Sequence, residues 1–201
     1  MGYKLHYFPI RGRGEQVRLL FHAMEIPFED VRVTREKFLE MKAEGPSTLY
    51  FGSLPLLEDG SYRLCQAPTI LSYIARKHGL APEELQLSAK ADAIALGAED
   101  LRMKYFKLFG DDREKTRAEF LRGDWQTRWL PNLNGLLEQN GSCGHFAGKQ
   151  LTHADIAIWD VLDAFQVYVS ASLEGYPALQ AFDENVRSLP TLAAYLDSRS
   201  V

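Results

Sequence analysis

The chain has 201 residues, 46% hydrophobic and 25% charged, with a formal net charge of −4. That length buries a substantial core in one large domain or two small ones, and the composition excludes a disordered or collagen-like chain. A mildly acidic chain whose basic residues are scattered among acids has no stripe to hold a polyanion, so no nucleic-acid partner is expected. Cys65 and Cys143 are far apart and form no metal-ligand or redox pair, as is ordinary in a reducing compartment. His6, His22, His78, His145 and His153 show no ligand spacing, so no metal is expected. The opening Met1-Gly2-Tyr3-Lys4-Leu5-His6 lacks the apolar core of a signal peptide, and no apolar run approaches membrane-spanning length. The expectation is a cytoplasmic protein with no membrane partner.

Tyr3, Leu5 and Tyr7 alternate with Lys4 and His6, which predicts a strand. Pro9 and Arg11-Gly12-Arg13-Gly14 break it, and from Glu15 a helix follows with Val17, Leu20, Phe21 and Met24 on one face. Phe28 to Val33 reads as a second strand, parallel to the first through a right-handed crossover. Thr34 to Ala43 reads as a short helix. Leu54 to Leu57 and Tyr62 to Cys65 read as a hairpin about Glu58-Asp59-Gly60-Ser61, and Pro68 opens a helix that Gly79 ends. The order β-α-β-α-β-β-α over residues 1–80 predicts a thioredoxin-like α/β domain. Residues 81–201 read as an all-α domain. Its long helices span Glu83 to Phe109 and Arg113 to Glu138, the second broken at Pro131. In this half Thr152 and Asp155 form a capping box, with Leu151 and Ile156 at the staple positions.

Tyr7 ends the first strand, where βα units collect ligands beside unpaired helix amides. A thioredoxin would carry Cys-x-x-Cys near here; this chain has no such thiol, so a sulfur would have to come from outside. A phenol donating a hydrogen bond to sulfur favours the thiolate, and lowering a thiol pKa from ~8.5 by ~2 units takes about 2.7 kcal/mol. Taken alone, a tyrosine at a strand end is usually a core residue whose hydroxyl is satisfied.

Tyr7-Phe8-Pro9 with Arg11-Gly12-Arg13 resembles the opening of pi- and sigma-class cytosolic glutathione transferases. The resemblance continues at Phe51-Gly52-Ser53-Leu54-Pro55, at Cys65-Gln66-Ala67-Pro68-Thr69-Ile70-Leu71, at Glu99-Asp100-Leu101-Arg102-Met103-Lys104-Tyr105 and at the capping box. It implies glutathione as co-substrate, with Tyr7 donating to its sulfur and Arg13 supporting the thiolate. Phe8 would border the tripeptide, and Phe38 and Lys42 would lie at its glycine carboxylate. Ser53, Leu54 and a cis Pro55 would line its backbone. Gln66, Ala67 and the start of their helix would hold the γ-glutamyl end, which Asp100 would reach from the other subunit of a homodimer. Phe51 would enter that partner. Phe8, Ile10, Tyr105, Phe106 and Phe109 would line a pocket for a small hydrophobic electrophile. The pattern departs at Ala67, where the family has serine, and at Phe38, where it commonly has tryptophan; both remove a donor to glutathione. The implied activity is conjugation in detoxification. A glutathione-dependent isomerase or peroxidase, or a non-catalytic carrier or structural protein of the same fold, are the alternatives.

Overall fold

A computed structural model describes residues 2–110, 112–141 and 143–199. The first half holds β1 (Tyr3–Tyr7), α1 (Gly12–Ala23), β2 (Phe28–Arg32), α2 (Arg35–Ala43), β3 (Leu56–Asp59), β4 (Tyr62–Cys65) and α3 (Ala67–Lys77). The strands form one mixed sheet in the order β2-β1-β3-β4. β1 runs parallel to β2, with Leu5 opposite Asp30, and antiparallel to β3, with Leu5 opposite Leu57. The thioredoxin-like order read from the sequence is the observed one.

The alternation in β1 decides which face is core. Tyr3, Leu5 and Tyr7 are buried, while Lys4 turns out and pairs with Glu29 at 2.9 Å. α1 seats Val17, Leu20 and Phe21 in the core, and Phe21 stacks on Phe28 of β2 at 4.5 Å. β3 begins at Leu56, two residues later than expected from the sequence, and the Leu54-Pro55 peptide before it is cis. Thr34 caps α2, accepting from the Lys37 amide.

The second half is helical: α4 (Leu85–Lys107), α5 (Arg113–Phe120), α6 (Leu130–Gln139), α7 (His153–Val169), α8 (Pro177–Arg187) and α9 (Pro190–Ser198). The helix expected over 113–138 breaks upstream of Pro131. A π-helical stretch, Leu121–Trp129, contains Gly123 at φ −95°, ψ −108°, outside helical space. Pro131 instead sits in the first turn of α6, where a missing amide costs nothing. α7 is buried from His153 to Phe165, and its start is tied as the sequence predicts. Asp155 accepts from the Thr152 amide at 2.7 Å and the Thr152 hydroxyl at 2.9 Å. Its other oxygen accepts from the Phe146 amide at 2.7 Å, which pins the preceding loop to the same carboxylate.

By contacts the chain divides into two units, residues 1–77 with 190–201, and residues 78–189. The sequence reading put 190–201 with the helical half, but α9 lies on α1. There the Thr191 hydroxyl donates to the Ala23 carbonyl at 3.1 Å, and the Tyr195 ring stacks on His22 at 4.1 Å. Among the described residues, no helix is long and apolar enough to cross a membrane.

Candidate active site

The side chain of Tyr7 lies under the start of α1, only 6% exposed. Its phenolic oxygen accepts the Arg13 amide at 3.0 Å, the one hydrogen bond that oxygen makes among the described residues. With a lone pair taken by the helix terminus, the phenol proton points elsewhere. The approach is close enough to dictate two neighbours. A Cβ at Gly12 would fall 2.6 Å from the Tyr7 oxygen, and one at Gly14 would fall 2.6 Å from the ring atoms Cγ and Cδ1. Gly12 also has φ +44°, which other residues rarely adopt. The sequence showed these glycines only as a strand break; in the fold they are the cradle of the tyrosine.

Beneath the turn from Tyr7 to α1 lies a residue that the sequence reading missed. Arg18 is fully buried. Its Nε donates to both oxygens of Asp30 at 3.1 and 3.0 Å, and its terminal nitrogens reach the carbonyls of Ile10 at 3.1 Å, Phe8 at 3.4 Å and Arg11 at 3.5 Å. Its guanidinium carbon is 5.7 Å from the Tyr7 ring centre. Burial opposes the charge, but Asp30 and Glu15 more than offset it and hold the guanidinium pKa above its ordinary value. The local signal was a Glu15–Arg18 pair one turn apart on an otherwise apolar helix face.

Tyr7 belongs to an apolar cluster with Val33, Met41, Leu49, Leu54, Leu56 and Cys65, against which Phe8 and Phe38 pack. Phe8 meets the edge of Phe38 at 5.2 Å. Phe38 therefore serves as packing, with a ring and no donor. Burial pushes the Cys65 thiol pKa up, so this cysteine is no competing nucleophile. Lys42 is exposed at the end of α2, and its aliphatic stem runs past Gly52, whose added Cβ would lie 3.2 Å from Lys42 Cε. That places the lysine beside the loop carrying exposed Ser53, buried Leu54 and cis Pro55.

Gln66 is exposed just before α3, and its carbonyl accepts the Ile70 amide at 2.9 Å. Its φ of 75° is uncommon for a residue with a side chain, and such outliers gather at binding sites. Ala67 follows, 1% exposed, with Pro68 in the first helical turn. Arg13 is half-buried on α1, and Ile10 is 58% exposed on the turn. Phe51 is 75% exposed, an unusual cost for so large an apolar side chain.

The remaining expected site residues lie in the second unit. Asp100 is exposed on α4. Tyr105 meets Phe109 at 4.9 Å, Phe165 at 5.3 Å and Tyr168 at 6.4 Å, at the margin of an aromatic cluster that continues to Phe120 and Trp125. Phe106 and Phe109 are 38% and 45% exposed.

A small mixed sheet with a tyrosine in place of redox cysteines, followed by a helical unit, defines a thioredoxin-like protein that handles a thiol it does not itself supply. Residues 3–76 match the glutathione S-transferase N-terminal domain, and residues 99–199 match the glutathione S-transferase C-terminal domain. The chain belongs to the glutathione S-transferase family, enzymes with glutathione as co-substrate. Glutathione S-transferase 1 of Ascaris suum is 35% identical, the match covering 98% of this chain and 96% of that protein. The pi-class glutathione S-transferase of Onchocerca volvulus superposes with a TM-score of 0.88 at 29% identity, over 99% of this chain and 94% of the other. Prostaglandin synthase D of Nilaparvata lugens superposes with a TM-score of 0.83 at 26% identity, over the whole of both chains.

Proposed function

We propose that the Tyr7 hydroxyl donates a hydrogen bond to the sulfur of glutathione and so holds that sulfur as thiolate for attack on a small hydrophobic electrophile. The observation that carries this reading is the Arg13 amide on the Tyr7 oxygen. That bond occupies the acceptor side of the hydroxyl and leaves its O–H free to donate, at the amino end of α1, where the helix dipole favours an anion. The thiolate sulfur forms a bond to carbon, the leaving group departs with its electron pair, and the thiol proton passes to solvent. The Arg13 guanidinium adds positive charge near the sulfur.

The rest of the tripeptide would lie along the exposed side of the 53–55 loop. Lys42 meets its glycine carboxylate, Phe8 and Phe38 flank it, and Ser53 and Leu54 offer main-chain groups ahead of Pro55. Gln66 and the start of α3 at Ala67 take the γ-glutamyl end, with Asp100 supplied by a second subunit. Residues 1–80 act here as the glutathione domain and 81–201 as the helical domain, with α9 of the latter packed on α1. On the first unit, Phe8 and Ile10 offer apolar surface to the electrophile. A homodimer with Phe51 at the interface accounts for the exposure of that ring. A cytoplasmic, detoxifying role completes the reading.

Replacement of Tyr7 by Phe tests it. A hydrogen bond to a charged sulfur is worth about 1.5–3 kcal/mol, so kcat/KM with chlorodinitrobenzene near neutral pH should fall roughly 10- to 150-fold. The loss should shrink at alkaline pH, where the thiol ionises unaided. A pH-independent loss, or none, removes the assignment. Likeness to a prostaglandin synthase favours one second reading, in which the same thiolate serves an isomerisation and is regenerated. Turnover of a prostaglandin endoperoxide without consumption of glutathione would select it.

A further inference from the structure

We propose that the C-terminal helix α9 positions the catalytic turn through a buried relay, Tyr195 to Glu15 to Arg18, making Tyr195 a positioning residue for Tyr7. The inference rests on the role of Tyr7 given above. Glu15 is 1% exposed in the first turn of α1, so its carboxylate depends on protein donors. The Tyr195 hydroxyl donates to it, lying 2.9 and 3.0 Å from its two oxygens. Arg18 meets it at 3.1 Å, and Arg199, just beyond α9, at 3.5 Å. From the other side Asp30 of β2 binds Arg18 and is itself paired with Arg32 at 2.6 Å.

Glu15 and Asp30 thus fix the plane of the Arg18 guanidinium from two directions. Its remaining hydrogens reach the carbonyls of Phe8, Ile10 and Arg11, all in the turn between Tyr7 and the amide that orients its hydroxyl. Removing the Tyr195 hydroxyl leaves Glu15 short of a donor. The carboxylate then draws on Arg18, which gives up part of its hold on the turn. Burial and the Glu15 charge raise the Tyr195 pKa, so the phenol stays protonated and remains a donor across the working pH range. Residues 180 positions apart in sequence are coupled in this way.

Tyr195→Phe removes the hydroxyl and keeps the ring that stacks on His22 at 4.1 Å, so the fold is retained. The acid limb of kcat/KM against pH, with chlorodinitrobenzene as electrophile, should move to higher pH. Since angstrom-scale misplacement of a catalytic group costs up to about 100-fold, kcat near neutral pH should fall roughly tenfold. KM for glutathione should change less than kcat, because most of its proposed contacts lie on α2, the 53–55 loop and Gln66. Thr191→Ala, which loosens α9 without touching the relay, should lower thermal stability and leave the pH limb in place. An unmoved limb in Tyr195→Phe overturns the relay, as does an equal movement in Thr191→Ala. Tyr7→Phe run in parallel separates the two claims. If Tyr7→Phe moves the limb and Tyr195→Phe does not, only the relay fails; if Tyr7→Phe leaves it unmoved, the site reading fails and takes the relay with it.

Discussion

Gly14→Ala is a small change with a large expected effect, because the tyrosine ring occupies the place of the missing methyl group. The new Cβ would lie 2.6 Å from Tyr7 Cγ and Cδ1 and 2.9 Å from its Cβ. Carbon atoms in contact sit about 3.5–4.0 Å apart, so ring and helix must separate by roughly 1 Å. The ring has little room to yield, with Arg18 5.7 Å from its centre, Phe8 at its edge and the Val33–Leu54–Leu56 cluster beside it. Overpacking of this kind costs about 1–3 kcal/mol, which in a chain of this size lowers the melting midpoint by roughly 2–10 °C. A 1 Å displacement of the hydroxyl from the sulfur position costs up to about 100-fold in kcat/KM. Circular-dichroism melts and chlorodinitrobenzene kinetics read both quantities. The control is Gly97→Ala within α4, where a Cβ meets nothing within 4 Å. There the same substitution should stabilise by about 0.5–1 kcal/mol, since alanine is the better helix former. A Gly14→Ala enzyme with wild-type activity and midpoint would refute the cradle.

Ala67→Ser restores a hydroxyl at the start of α3 and should lower KM for glutathione by roughly 3- to 10-fold, at a small cost in stability for burying an oxygen in the free protein. An unchanged or raised KM in steady-state titration would place the γ-glutamyl end elsewhere. His22 has its pKa lowered by burial, against weaker opposing pulls from Glu15 and Asp30. A lowered folded pKa means that its contribution to stability is present above about pH 6.5 and drains away as the pH falls towards the folded value. The melting midpoint should therefore drop on acidification, and His22→Gln should flatten that part of the profile; superimposable profiles would exclude His22 as the source.

What the sequence exposed was what short-range rules govern. The alternation of Tyr3, Leu5 and Tyr7 needs only the two-residue period of a strand, and the Thr152–Asp155 box needs only one helical turn. Both appear as read. The break near Pro131 was misplaced because proline is harmless in the first turn of a helix, while Gly123 carried the real departure from helical space. Gln66 gave no sign of its left-handed backbone, since nothing in a glutamine side chain favours positive φ; the surrounding fold imposes it.

The least legible features are those that join distant segments, and they converge on the turn between Tyr7 and α1. Glu15 and Arg18 look like a surface ion pair until both are found buried, where an unpaired charge would cost several kcal/mol. Such burial is tolerable only because Asp30 comes from β2 and Tyr195 from α9. A short cluster of charges inside the glutathione domain thus requires the last helix of the chain. It follows that the C-terminal segment, which the sequence groups with the helical half, belongs energetically to the turn that follows Tyr7. Truncation before Pro190 would therefore take the Tyr195 and Arg199 donors from the buried Glu15 carboxylate and leave it to Arg18, as well as removing a helix.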